Sequence, residues 1–215
     1  IWCRLLLASF VFGSVSLRAD APVNVILILV DDLGWMDLSC QGSDYYQTPH
    51  IDRLANEGMR FTNAYAGAPV CGPTRCSLLT GKHSGHMSMR ANNGFAPIRA
   101  EEPTLASMLK PLGYATGGFG KWGIGGRGTS GVPEKHGFDL FFGYYDQVHA
   151  HTFYPRYLIR NSEGVPLPGN DGLSFYEGET HAQDVIFEES IQFIKDHQDE
   201  PFFCYPVSYT HLTLP

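Results

Sequence analysis

Hydrophobic residues fill almost every position of residues 23–30 (VNVILILV), and two aspartates follow directly. Such a run lacks the alternation of a half-exposed strand, so it predicts a central parallel strand that is covered on both faces. Asp31 and Asp32 then lie at the carboxyl end of that strand, which is the edge where open α/β sheets bind ligands.

Helical spacing first appears in residues 48–61 (TPHIDRLANEGMRF). We predict a helix with Thr48 as its N-cap, Pro49 at its first position and Gly58 at its end. Its apolar face would carry Ile51, Leu54 and Ala55. Residues 61–66 (FTNAYA) follow as a short predicted strand.

Helix and strand patterns alternate through the rest of the chain. Residues 76–82 predict a helical turn, and residues 103–126 predict a capped helix, a glycine break, a strand and a Gly-rich loop. Residues 136–157 are rich in aromatics and glycine without a clear period, which predicts a loop that lines a pocket. Residues 180–209 predict a helix and then a buried strand. The apolar set of that helix is Val185, Ile186, Ile191, Phe193 and Ile194.

This alternation predicts an α/β fold with a mainly parallel central sheet and helices on both faces. The 215 residues, 43% of them hydrophobic and 17% charged, suffice for one sizeable core, so disordered and collagen-like classes are excluded. A net charge of −7 without a dense basic run argues against a nucleic-acid partner. The net charge still allows a small anionic substrate if the site supplies its own cations.

The first residues resemble a targeting segment. An apolar run from Leu5 to Leu17 ends at small residues near Ala19 and Ala21, which predicts a secretory signal peptide over residues 1–21. The run is too short and too weakly apolar for a membrane span, so we expect export without stable membrane insertion. An ordinary buried segment is the alternative.

Adjacent carboxylates at the end of a buried strand are costly as bare charges. A divalent cation would relieve both the desolvation and the repulsion of Asp31 and Asp32, and oxygen ligands favour calcium or magnesium. A helix N-cap with a solvated neighbour is the alternative.

Cys71 and Arg75 lie one helical turn apart if a helix begins near Pro73. A guanidinium and a helix N-terminus would lower the pKa of a thiol and would also suit an anion. A structural cysteine with a surface arginine is the alternative, as is a disulfide to Cys76. Lys121, among glycines after an apolar strand, suits a phosphate or sulfate oxygen, although from this stretch alone a surface lysine is the favoured interpretation.

Histidines near these motifs could act as general acids or bases, because imidazole titrates near neutrality. The candidates are His83, His86, His149 and His151. A loop histidine held by hydrogen bonds is the alternative for each of them.

Together these segments resemble the amino-terminal part of a type I sulfatase of the arylsulfatase family, in the alkaline-phosphatase-like superfamily. The resemblance runs from about Asn24 to Tyr205. Its most specific element is the motif C-x-P-x-R, which Cys71, Pro73 and Arg75 carry within VCGPTRCSLLTGK. Thr74 stands where serine is commoner in the family.

The resemblance implies that a formylglycine-generating enzyme oxidises Cys71 to an aldehyde whose hydrate is the nucleophile. One hydroxyl would attack the sulfur of a sulfate ester and expel the alcohol, and the second would then release sulfate. By position, Asp31, Asp32 and the oxidised Cys71 would bind calcium rather than magnesium. Arg75 would hold the hydrate, and Lys121 would bind sulfate.

One position departs from the family pattern. Many relatives have a histidine two residues after the lysine, where this chain has Gly123, and His83, His86 or His149 would have to compensate. The loop HGFDLFFGYYDQVHAHTFYP resembles a family loop beside the substrate. We therefore expect Gln147, near the place of a sulfate-contacting serine in some members, and His149 to bind substrate.

The resemblance divides the chain into a signal peptide at 1–21, the amino-terminal part of a sulfatase catalytic domain at 22–207, and a doubtful tail at 208–215. In the family, two further calcium ligands and another lysine lie beyond a strand like PFFCYPVSY. We therefore expect an incomplete fold that is inactive by itself, and His211 in the tail is not a safe assignment.

Two other functions stay open. A phosphonate or phosphate monoester hydrolase of the same superfamily would use similar residues, whereas a non-catalytic glycan-binding remnant would have lost the site. The intact Cys71, Pro73 and Arg75 argue against such a loss. The expected partners are a sulfated small molecule or glycan and the formylglycine-generating enzyme, and the expected location is periplasmic, extracellular or lysosomal, according to source.

Overall fold

The structure is a computed structural model that describes residues 22–92, 97–171 and 177–209. The predicted signal peptide at 1–21 and residues 210–215, with His211, lie outside the described residues. The described strands are β1 (Val25–Ile26), β2 (Leu29–Asp31), β3 (Ala115–Lys121), β4 (Leu140–Tyr144), β5 (Tyr157–Arg160), β6 (Glu163–Pro166) and β7 (Phe202–Tyr209). The described helices are α1 (Pro49–Glu57), α2 (Cys71–Thr80), α3 (Leu105–Leu109) and α4 (Ala182–Asp196).

The strands form one sheet in the order β1-β7-β3-β4-β5-β6, and β2 also pairs with β7. Every pairing among β1, β2, β7, β3 and β4 is parallel, whereas β5 and β6 add an antiparallel edge. The predicted α/β class with a mainly parallel sheet is therefore confirmed. Ser208 and Tyr209, at the start of the doubtful tail, are the last residues of β7.

Both faces of the sheet carry a hydrophobic cluster. One cluster joins Leu79 of α2 and Ala106 of α3 to Phe203 of β7. The other joins Ile186 of α4 to Phe119 of β3. Helices thus cover both faces, as predicted, and the sheet edge where β2 and β3 end is left for a site. No helix in the described ranges is long and apolar enough to cross a membrane.

The first apolar run does not form the predicted central strand. It is divided into β1 and β2, which keep one register against β7 and have no other strand neighbour in the described chain. Side chains on one side pack on the first cluster, but Ile26 and Ile28 on the other side are 48% and 59% exposed. Within the described chain the strand is therefore covered on one face and not on both as predicted, because an apolar run does not reveal which neighbours lie beside it.

Helix α1 begins and ends where predicted, but its contacts differ. Thr48 occupies the N-cap position, yet its hydroxyl donates to the Asp52 carboxylate over 2.9 Å instead of accepting a helix N–H. No residue of α1 is buried, and Leu54 is 67% exposed. The strand predicted at residues 61–66 was wrong, because this segment forms turns and irregular backbone.

Two further predictions need correction. Residues 136–157 are not simply a loop, because they include strand β4 in the middle of the sheet. That strand buries Phe141 in one cluster and Phe142 in the other, so it shows no polar face and no period. In α4, Ile186 and Phe193 are buried as expected, but Ile191 is 50% exposed.

Candidate active site

Asp31 and Lys121 end two parallel strands that flank β7, so both side chains reach the same edge of the sheet. Asp31 is 8% exposed and Lys121 is 1% exposed. A buried charge is stable only with a partner. Here each residue supplies the other's partner, because Lys121 Nζ lies 2.7 Å from Asp31 Oδ2. The alternative of a surface lysine was wrong.

Cys71 is the first residue of α2, directly after extended backbone at Val70. The Thr74 hydroxyl donates to the Ala68 carbonyl over 2.7 Å, and the Gly72 N–H donates to Asn92 Oδ1 over 2.8 Å. These two bonds hold the loop against the first turn of the helix. Thr74 therefore supplies a hydroxyl that ties the first turn of α2 to the loop before Cys71.

Arg75 lies one turn further along α2 and is completely buried. Its Nε donates to the Trp122 carbonyl over 2.7 Å, its Nη1 to Asp31 Oδ2 over 2.8 Å and its Nη2 to Gln147 Oε1 over 2.7 Å. A guanidinium has five N–H groups, so two remain for other acceptors. The alternative of a surface arginine was wrong, and Arg75 shares one oxygen of Asp31 with Lys121.

Asp31, Asp32 and Cys71 each offer one ligand atom, and these atoms lie within 4.8 Å of one another. Asp32 has left-handed backbone at φ 61°, and its Oδ1 lies 3.9 Å from Cys71 Sγ. Non-glycine residues rarely adopt this conformation, and those that do cluster at functional sites. If Cys71 is oxidised, its sulfur stands where a hydrate oxygen would be. Two carboxylates and such an oxygen fit part of a calcium shell.

A cavity of about 300 Å³ opens beside these groups. Asp31, Asp32, Cys71, Thr74 and Arg75 line one side of it. A volume of this order matches the lower end of small-ligand sites, roughly 300–1,000 Å³. The cavity therefore has room for a small anionic group at the thiol.

Gln147 and His149 lie apart from that lining. Gln147 bonds Arg75 and faces a smaller cavity beside Gly123. His149 lines a third cavity, of about 230 Å³, with its ring centroid 4.9 Å from that of Tyr157. Burial lowers the pKa of His149, and nearby Asp146 offsets only part of that effect, so the imidazole is neutral at pH 7.

Two of the histidines expected to compensate for Gly123 contact each other. His83 accepts the Gly85 N–H through Nδ1, and its ring faces that of His86 at 6.4 Å. The atoms nearest to a Cβ built on Gly123 belong to Gln147 and Arg75. No histidine atom is among the three that lie nearest to that Cβ.

The sequence did not reveal two groups that hold the site in place. One is the Trp122 carbonyl that fixes Arg75, and the other is Asn92, whose side chain holds the Gly72 N–H. A backbone carbonyl has no side-chain signature, and Asn92 lies in a segment without periodicity, so no sequence signal pointed to either.

The described cysteines, Cys40, Cys71, Cys76 and Cys204, are all free thiols. The alternative of a local disulfide between Cys71 and Cys76 was therefore wrong. Burial raises the pKa of Cys76 to about 11, and that of Cys204 to about 12. Cys71 is half-exposed, whereas Cys76 and Cys204 are buried cysteines of the core.

The thiol at a helix N-terminus, the paired aspartates and the two buried cations thus meet at one edge of an α/β sheet. The family model described as Sulfatase matches residues 23–210. The chain belongs to the sulfatase family.

Similar proteins agree with that assignment. The chain is 34% identical to N-acetylgalactosamine-6-sulfatase of Canis lupus familiaris, over 97% of this chain and 43% of the relative. It is 42% identical to arylsulfatase D of Homo sapiens, over 56% of this chain and 23% of the relative. The chain thus spans less than half the length of these curated relatives.

Solved structures share the fold. One, from work on glycosaminoglycan metabolism by Bacteroides thetaiotaomicron, superposes with a TM-score of 0.72 at 29% identity, over 87% of this chain and 51% of the other. Another, described as a complex with its substrate D-glucosamine-2-N,6-O-disulfate, has a TM-score of 0.70 at 27% identity, over 87% of this chain and 34% of the other.

Proposed function

We propose that the protein containing this chain hydrolyses sulfate esters through a formylglycine derived from Cys71, with a calcium ion held by Asp31, Asp32 and residue 71. One observation carries the proposal: ligand atoms of these three residues lie within 4.8 Å of one another, beside two buried cations. Calcium, when bound, would polarise the oxygens of the hydrate and of the sulfate group.

The two buried cations, Arg75 and Lys121, have different roles in the proposed reaction. Arg75 has two N–H groups left after its hydrogen bonds to Trp122, Asp31 and Gln147, and it holds the hydrate of residue 71 with them. The Lys121 ammonium is buried and, although it pairs with Asp31, has no hydrogen bond of good geometry in the described chain. Lys121 therefore binds a sulfate oxygen, which completes its hydrogen bonding.

The names of similar proteins support a substrate class. One relative is named for N-acetylgalactosamine-6-sulfate, and one neighbour binds a glucosamine disulfate. We propose a carbohydrate or aryl sulfate, bound in the cavity of about 300 Å³ beside residue 71. The partner during maturation is the formylglycine-generating enzyme. Export through the segment at 1–21, without nucleic-acid binding or stable membrane insertion, completes the proposal.

Two measurements on the full-length protein, produced together with the formylglycine-generating enzyme, test the proposal. Mass spectrometry of the peptide with residue 71 should find an aldehyde in place of the thiol. Turnover of nitrophenyl sulfate should exceed that of nitrophenyl phosphate, and Cys71→Ala should abolish both the aldehyde and turnover. Cys40→Ala, at another half-buried thiol, is the matched control and should leave turnover unchanged.

The possible outcomes separate the alternatives. An unmodified thiol with no turnover would contradict the proposal. A clear phosphate preference would assign the chain to a phosphate or phosphonate monoester hydrolase. Calcium titration by calorimetry adds an independent readout, because Asp32→Asn removes one ligand charge and should weaken calcium binding. Glycan binding without calcium dependence would instead support a binding remnant.

A further inference from the structure

The backbone at Gly123 leaves a gap that two other side chains fill. Gly123 has φ +62°, a conformation that glycine adopts without strain. A Cβ at this position would lie 2.4 Å from Gln147 Oε1 and 2.5 Å from Arg75 Nη2. Any side chain here would therefore displace the hydrogen bond between Gln147 and Arg75.

That bond determines the orientation of the guanidinium. Asp31 and the Trp122 carbonyl accept from Nη1 and Nε, so they define one edge of the fork. Gln147 Oε1 accepts from Nη2 over 2.7 Å and fixes the opposite end. With all three acceptors in place, the two remaining N–H groups of Arg75 have fixed directions.

The neutral charge of the Gln147 amide affects the site as well as the length of the side chain. Arg75 and Lys121 already share the one carboxylate of Asp31. A neutral amide oxygen orients Arg75 without adding a negative charge, whereas a carboxylate at position 147 would reduce the attraction of the site for an anion. Glutamine thus combines an acceptor of the right length with no charge.

We propose that Gln147 is a positioning residue that acts through Arg75, in the space that Gly123 leaves open, and that it does not bind the substrate. The inference rests on the proposed sulfatase function. It replaces the expectation that Gln147 contacts sulfate, because the carbonyl oxygen of Gln147 accepts from Arg75 and the residue faces the smaller cavity beside Gly123.

The test compares two variants of similar length in the full-length protein produced with the formylglycine-generating enzyme. Gln147→Met removes the acceptor, so kcat on nitrophenyl sulfate should fall roughly 10- to 100-fold, as for other residues that orient an active-site group. KM and the calorimetric affinity for inorganic sulfate should not change. Gln147→Glu keeps an acceptor and should retain more of kcat, but its charge should weaken sulfate binding roughly 10-fold.

Val148→Thr is the matched control, because Val148 is the next residue and is 70% exposed. An unchanged kcat with a raised KM and weaker sulfate binding in Gln147→Met would mean that Gln147 contacts substrate, which overturns the inference. A Gln147→Glu kcat as low as that of Gln147→Met would also overturn it, even where the methionine variant folds poorly. Wild-type protein without sulfate-ester turnover would instead contradict the proposed function.

Discussion

Replacing Arg75 by methionine keeps most of the volume of this buried side chain and removes its charge and its donors. The substitution leaves the Trp122 carbonyl without its partner, and an unpaired buried carbonyl costs about 1–3 kcal/mol. Breaking a buried ion pair costs about 3–5 kcal/mol when the remaining charge has no other partner. In Arg75→Met, Asp31 still has Lys121 at 2.7 Å, so the loss of the ion pair between Arg75 and Asp31 costs less than this range.

We therefore expect Arg75→Met to lower the free energy of unfolding by about 3–5 kcal/mol in total. With a urea m-value of about 2 kcal/mol/M, the midpoint should fall by about 2 M. Tryptophan fluorescence reports the transition, because Trp122 is 1% exposed in the folded chain and becomes exposed on unfolding. A chelator in the buffer removes any contribution from bound metal.

Arg160→Met provides the control, because Arg160 pairs with Glu189 on the surface, where both side chains are about one-third exposed. That pair should contribute at most about 1 kcal/mol. Equal midpoints for Arg75→Met and Arg160→Met would refute the reasoning, since they would mean that the network around Arg75 contributes no more than a surface ion pair.

Two further predictions concern the thiols and a buried carboxylate. At pH 8, before Cys71 is oxidised, iodoacetamide should label Cys71 and spare Cys76 and Cys204, because burial raises the pKa of both core thiols. Mass spectrometry of each cysteine peptide measures the labelling. Labelling of Cys76 in the folded protein would contradict this prediction. Burial by itself would raise the pKa of Glu102, but hydrogen bonds from Ser88 and other neighbours outweigh burial and lower this pKa. The ionised Glu102 therefore stabilises the fold fully above its ordinary pKa of 4.5, and this stabilisation is lost as the pH falls through the lowered value. Glu102→Gln should therefore lower the urea midpoint more at pH 7 than at pH 3, and an equal loss at both pH values would contradict the assignment.

The alternation of helix and strand patterns was sufficient to predict the fold class. It was not sufficient to place the strands in the sheet, because a continuous apolar run can occur in a central strand and also in a strand that is only partly covered. The pattern of residues 23–30 predicts a central strand, but within the described chain they lie at an edge of the sheet with Ile26 exposed. Strand β4 shows no period in its sequence and lies in the middle. Strand order depends on contacts between distant segments, which local patterns do not encode.

In the candidate site, too, local sequence predicts some features, whereas contacts between distant residues determine the others. A short motif contains Cys71 and Arg75, and two adjacent residues form the acidic pair, so local sequence was enough to select them. The bond between Arg75 and Gln147 joins residues 72 positions apart, and no spacing rule predicts it. For the same reason, no local pattern indicates that Gln147 and Arg75 are the side chains beside Gly123.

Within the described residues β2 lies at the edge of the sheet, and this has a consequence for motion. Asp31 and Asp32 follow a strand that pairs only with β7 in the described chain, whereas Lys121 ends a strand with neighbours on both sides. Edge strands open more readily than interior ones, so amide hydrogens in β2 should exchange with solvent faster than those in β3. The acidic half of the site would then loosen while the basic half stays ordered, and an ion bound by the aspartates would slow exchange mainly in β2.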